Sequence, residues 1–215
     1  MAYVWINPVV ASMYEPEILD KFLQKHGYKQ VKTSEDWLHI VKEKYRAAVN
    51  EAKVPVMDMR CPKSGEVVDA SGVMPEVTLP TIEPILIHCA REISEREDLR
   101  GEEKVITTPC KALADMGNAL ELPYTTFVVW NQFLAILGDT SLKDEKTLIP
   151  QTLKESPIPP GFFDDLGLKT VSLTGEDEIQ EYFQTQFAKN TPNNVQIVEM
   201  LFCKHGCHNG EGVCM

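Results

Sequence analysis

No apolar stretch of this 215-residue chain approaches the roughly 18–20 residues that span a bilayer, so the sequence offers no candidate membrane helix. The opening MAYVWINPVV lacks the basic, then apolar, then small-residue order of a secretion leader, and a cytoplasmic location is expected. Basic residues are outnumbered: 21 Lys and Arg stand against 32 Asp and Glu, for a formal net charge of −11. Nucleic-acid phosphates and anionic lipid would repel such a chain before any specific contact formed. Neither is expected as a partner; proteins or small molecules are. A Gly-rich phosphate loop ending in Lys-Ser/Thr is missing, as is a G-x-S-x-G elbow, so nucleotide hydrolysis and serine-ester chemistry have no support. Internal repeats and low-complexity tracts are absent too.

What the chain does have is 43% hydrophobic residues, enough for a sizeable core, arranged as short apolar runs alternating with longer amphipathic ones. That alternation predicts an α/β fold with mainly parallel sheets flanked by helices. Strands are expected over 3–6, 54–59, 105–108, 127–130, 170–173 and 195–201. One helix opens at Pro16 and stops at Gly27. A second follows it directly, capped by Thr33 or Ser34, with Trp37, Val41, Tyr45 and Ala48 on one face. Pro84 starts another, with Ile85, Leu86, Cys89 and Ile93 inward, and further helices carry Phe133, Leu134 and Leu137, and span 176–188. The stretch after Cys61 reads as a Pro/Gly-punctuated loop. A polar, proline-rich segment, 139–161, reads as a linker between a lobe at 1–138 and a strand-helix-strand unit at 162–215.

Six cysteines in an intracellular chain of this size point to metal binding or plain burial, because that compartment keeps thiols reduced. Cys61, Cys110 and the pair Cys203/Cys207 each follow an expected strand, and the carboxyl ends of parallel strands are where ligands bind. Four thiolates suit a cubane iron-sulfur cluster. Gly206, Gly210 and Gly212 let the backbone approach such a cluster and aim amide N–H groups at its sulfurs. Zinc is a chemical alternative, since His205, His208 and Cys214 lie beside the pair, although its usual close spacing occurs only once. Cys89 falls on an apolar helical face and reads as a buried small hydrophobe. Cys214, near the terminus, reads as a frayed residue or a spare ligand. His26, His39 and His88 lie in or beside helices, where ordinary structural roles are expected.

The segments GLKTVSLTGEDEIQEYF and VQIVEMLFCKHGCHNGEGV resemble the C-terminal end of the iron-only hydrogenase catalytic domain, where a final strand leads into C-x-G-G-C-x-x-G-G-G. MRCP at Met59–Pro62 resembles that family's first cysteine motif, T-S-C-C-P, and TPC at Thr108–Cys110 its second, M-P-C-x-x-K. Order and approximate spacing agree, with a large stretch between the second and third motifs missing. The resemblance implies two small lobes with a [4Fe-4S] cluster in the cleft between them, held by Cys61, Cys110, Cys203 and Cys207. It also places Arg60 where the family has its proton-relay cysteine, Leu113 where it has a lysine, Met116 where it has a glutamate and Leu201 where it has a methionine.

Those departures remove the proton donor and the pocket that hydrogen chemistry needs. Arginine stays protonated and shuttles nothing, so Arg60 is expected either in a surface ion pair or beside the cluster, offsetting charge or binding a small anion. The expectation is a [4Fe-4S] protein for electron transfer, redox sensing or cluster handling, with a redox protein as partner and without the di-iron subsite or hydrogenase activity. A minimal hydrogenase carrying that subsite and a zinc-stabilised scaffold are the alternatives.

Overall fold

A computed structural model describes residues 2–72, 76–142, 145, 161–187 and 194–213. In chain order the elements are β1 (Ala2–Trp5), α1 (Pro8–Ala11), α2 (Pro16–Lys25), β2 (Tyr28–Gln30), α3 (Trp37–Glu51), β3 (Val56–Met57), α4 (Pro62–Ser71), α5 (Ile85–Glu95), β4 (Lys104–Thr108), α6 (Lys111–Asn118), β5 (Thr125–Val129), α7 (Trp130–Leu137), β6 (Thr170–Thr174), α8 (Glu176–Glu181) and β7 (Ile197–Leu201). The α/β class and the parallel sheets are as the alternating apolar runs require.

The chain forms two compact units, and neither is continuous in sequence. Met1–Asp36, Leu86–Pro157 and Cys207–Met215 make the first; Trp37–Ile85 and Ile158–Gly206 make the second. The stretch 1–138 is therefore shared by both units rather than forming one lobe, and 162–215 divides between Gly206 and Cys207. Strand pairing decides this membership: β3 takes its partner from β7, far along the chain. Most of the expected linker at 139–161 lies outside the described residues.

In the first unit the strand order is β2-β1-β4-β5, all parallel. From β1 the chain crosses to β2 on one side, and from β4 to β5 on the other. The order thus reverses between β1 and β4, and their carboxyl ends form the switch point at which open α/β sheets take ligands. Asn7 joins the two ends: its backbone N–H donates to Thr107 Oγ1 at 2.9 Å and its side-chain amide to the Thr107 carbonyl at 3.3 Å, while its Oδ1 caps α1 by accepting from Val10 N–H. On α2 the buried residues are Leu19, Phe22 and Leu23. Three elements of this unit were not foreseen, the single-turn α1 (Pro8–Ala11) among them. The three-residue β2 separates α2 from α3, and as a short, polar edge strand it gives no apolar signal. The eight-residue α6 buries only Leu113, Ala114 and Gly117, too narrow a stripe to read as a helix.

In the second unit β7 lies between β3 and β6, again all parallel, and every residue of β7 is buried, as a central strand covered on both faces demands. Met57, Val68, Leu173, Ile179, Tyr182, Phe183, Val198 and Met200 form its core. Residues 62–71 are a helix, α4, where a loop was expected. Pro62 sits at its first position and Gly72 ends it at φ +70°, so proline and glycine here mark a helix's start and stop rather than a loop. The expected helix from 176 is α-helical to Glu181 and continues as π-helix over Tyr182–Phe187. Ile179, Tyr182 and Phe183 are buried on its inner face.

Candidate metal centre

Cys61 and Cys203 leave the second unit's sheet at the same end. β3 and β7 are adjacent and parallel, with Val56 opposite Ile197 and Met57 opposite Val198, and Asp58 N–H extends the ladder to the Val198 carbonyl at 2.9 Å. Cys61 is the N-cap of α4 in extended conformation, and its carbonyl accepts from Gly65 N–H at 3.1 Å to start the helix. Ser64 Oγ, in that first turn, donates to the Met200 carbonyl at 3.2 Å, tying α4 to the end of β7. After Cys203 the chain turns sharply: Gly206 N–H donates to the Cys203 carbonyl at 2.9 Å, with His205 at φ +65° and Gly206 at φ +105°. Glycine tolerates that left-handed backbone freely; histidine does so at a cost. Cys61 and Cys203 are both half-buried.

Arg60, immediately before Cys61, is 0% exposed, so the expected surface ion pair is a buried one. Its Nε donates to Asp58 Oδ1 at 2.9 Å and its Nη2 to Asp58 Oδ2 at 2.7 Å, a bidentate pair. Nη2 also reaches Glu199 Oε1 at 3.4 Å. The guanidinium lies over the Phe162 ring at 3.7 Å. Burial by itself would lower the Arg60 pKa, but the Asp58 carboxylate holds it above its ordinary value. Glu199 accepts further bonds from Gly161 N–H, Phe162 N–H and Ser172 Oγ. Tyr45 hydroxyl accepts from Met59 N–H at 2.9 Å, and burial, then the Asp58 charge, pushes its pKa well up. Two carboxylates face the one guanidinium, and its Nη1 is buried without a hydrogen-bond partner among the described residues. The role of Arg60 here is to fix the backbone leading into Cys61, since Asp58 Oδ1 also accepts from Arg60 N–H at 3.0 Å.

Cys110 and Cys207 belong to the first unit. Cys110 follows β4 and is the N-cap of α6, again in extended conformation, at the switch point. The tail folds back onto the same strand end: Gly212 N–H donates to the Pro109 carbonyl and Asn131 N–H to the Gly212 carbonyl, both at 3.0 Å. Glu211 Oε1 accepts from Lys111 N–H at 2.9 Å. A side chain on Gly210 would stand 2.5 Å from the Pro109 carbonyl and 2.9 Å from that of Cys207, and one on Gly212 would collide with Val129. The two glycines therefore allow close approach of backbone to backbone, which sets Cys207 beside the Pro109–Cys110 turn. The amide role expected of the glycines is corrected by the same bonds. Gly206 donates to Cys203, Gly210 to Cys207 and Gly212 to Pro109, all backbone carbonyls.

Each unit by itself thus brings two cysteines to the carboxyl ends of parallel strands. Among the described residues no three His, Cys, Asp or Glu side chains are gathered as a group that could hold a metal ion. Cys61, Cys89, Cys110, Cys203 and Cys207 are not joined to one another by disulfides. Cys89 is 5% exposed on α5, and burial, with Glu92 adding to it, pushes its thiol up to about 12, the state of an inert packing residue. Cys214 lies outside the described residues. Asp58, Glu199 and Ser64 were missed by sequence reasoning, and Glu211 was met only as a departure from the resembled G-G-G turn. The signal for Glu199 was available: a lone acid inside the otherwise apolar run IVEML needs a buried partner.

These observations define an α/β protein with two parallel-sheet units, each presenting a cysteine pair at its strand ends. No family model, curated protein or solved structure matches the chain. Among the described residues no helix is long and apolar enough to cross a membrane.

Proposed function

We propose that this chain is an iron-sulfur protein related to the iron-only hydrogenase catalytic domain, binding one [4Fe-4S] cluster through Cys61, Cys110, Cys203 and Cys207. Its work is electron transfer, redox sensing or cluster handling with a redox protein partner in the cytoplasm, without hydrogenase activity. The observation that carries the reading is the repeated arrangement in which both units pair a helix-capping cysteine with one from the Cys203–Cys207 tail. The donor set fits the group chemically, because four thiolates match the four irons of a cubane. Bound there, the cluster would supply reversible one-electron chemistry.

The loss of proton-transfer function follows from Arg60. A guanidinium bonded to Asp58 and Glu199 and stacked on Phe162 neither releases a proton at physiological pH nor swings toward a substrate. Anaerobic purification with iron, inorganic-sulfide and zinc analysis tests the reading. Four irons and four sulfides per chain are expected; stoichiometric zinc without sulfide, or hydrogen evolution after subsite maturation, would overturn it.

A further inference from the structure

Glu211 stands where the resembled motif has a glycine, and its carboxylate is bonded to the backbone amide next to Cys110. We infer that Glu211 is a positioning residue that lowers the reduction potential of the cluster, by capturing the Lys111 N–H and fixing a negative charge against the first turn of α6. The inference rests on the cluster reading above.

Three physical effects act in the same direction. Backbone N–H groups near a cluster stabilise its reduced, more negative state when they donate to its sulfurs, and so raise the potential. The Lys111 amide follows Cys110 at the helix start and donates to Glu211 Oε1, so it is not available to a cluster sulfur. The carboxylate also offsets the partial positive charge at the start of α6. Finally, it adds a full negative charge close to Cys110, which disfavours arrival of an electron. The Lys111 ammonium does not cancel that charge, because it is paired with Asp115 one turn on. The carboxylate is also held in place. Glu211's own carbonyl accepts from Asn131 Nδ2 at 3.2 Å, and its neighbours Gly210 and Gly212 are bonded to Cys207 and Pro109. The second unit lacks the same donor by another route: the residue after Cys61 is Pro62, which has no N–H to give.

The test compares wild type, Glu211→Gln and Glu211→Gly as full-length protein reconstituted anaerobically, with iron and sulfide counted and the one-electron midpoint potential measured against an electrode. Glutamine keeps an acceptor for Lys111 N–H and removes only the charge; glycine removes both. The potential is expected to rise in the order wild type, Glu211→Gln, Glu211→Gly, and the step from wild type to Glu211→Gln is expected to shrink as salt is raised, because the carboxylate is exposed. Fully loaded variants at the wild-type potential would overturn the inference, as would variants that bind no cluster when wild type does. Wild-type protein without iron and sulfide would instead overturn the cluster reading itself.

Discussion

Cys61 and Cys110 leave parallel strands in the same manner, each as the extended N-cap of the next helix, yet the two turns are held by different chemistry. Before Cys61 stands a buried ion network in which Arg60 is gripped by Asp58 and Glu199. Around Cys110 charge plays a smaller part: the tail is laid against Pro109 by backbone hydrogen bonds that only glycines at 210 and 212 permit. One cysteine is thus positioned by large side chains meeting in the interior and the other by the absence of side chains. The first arrangement is sensitive to loss of a partner, the second to gain of a methyl group.

The largest effect expected tests whether the two pairs act together. Cys61→Ala, Cys110→Ala, Cys203→Ala and Cys207→Ala should each remove most of the bound iron and sulfide, whereas Cys89→Ala should leave both near wild type. If a variant in one unit kept its full cluster content while one in the other lost it, the four-ligand proposal would fail.

Arg60→Met comes next and strikes the second unit. Removing one member of a buried ion network strands the others, at a cost of about 3–5 kcal/mol, and urea unfolding would read the loss. Asp58 and Glu199 would be left as buried carboxylates without their cation. A variant as stable as wild type would show that the network contributes little to holding the turn before Cys61.

Gly210→Ala is the counterpart in the first unit. Its new methyl would press on the Pro109 and Cys207 carbonyls, both backbone atoms that cannot rotate away, so a loss of about 1–3 kcal/mol is expected. Cluster retention should fall with it, because Cys207 would be displaced. Unchanged unfolding and iron content would mean that the tail is not held by this close approach.

The same contrast explains what could be read in advance. Strands rich in branched apolar residues, such as VITT before Cys110 and IVEML before Cys203, declare themselves, and so do amphipathic helices such as α2 and α3. The discontinuous units were hidden because the pairing of β3 with β7 is a long-range choice that local pattern does not encode. Arg60 was noticed as an oddity, but burial was not inferred for it, although Asp58 and Glu199 sit in the same kind of apolar strand run. The glycines were assigned flexibility and amide donation. Only Gly206 uses the left-handed backbone, and none of the three has its N–H to spare.

The smallest effect separates side-chain anchoring from the ion network within the second unit. Ser64 Oγ reaches the Met200 carbonyl at 3.2 Å, linking the first turn of α4 to the strand that leads to Cys203. Ser64→Ala removes a neutral hydrogen bond and leaves one carbonyl partner unmet, so about 0.5–1.5 kcal/mol should be lost. Because Asp58 and Arg60 remain paired, that loss should be well below the Arg60→Met loss. A Ser64→Ala loss as large as that of Arg60→Met would mean that the turn after Cys61 and the ion pair before it yield together, and that the second unit holds its two cysteines as one cooperative piece.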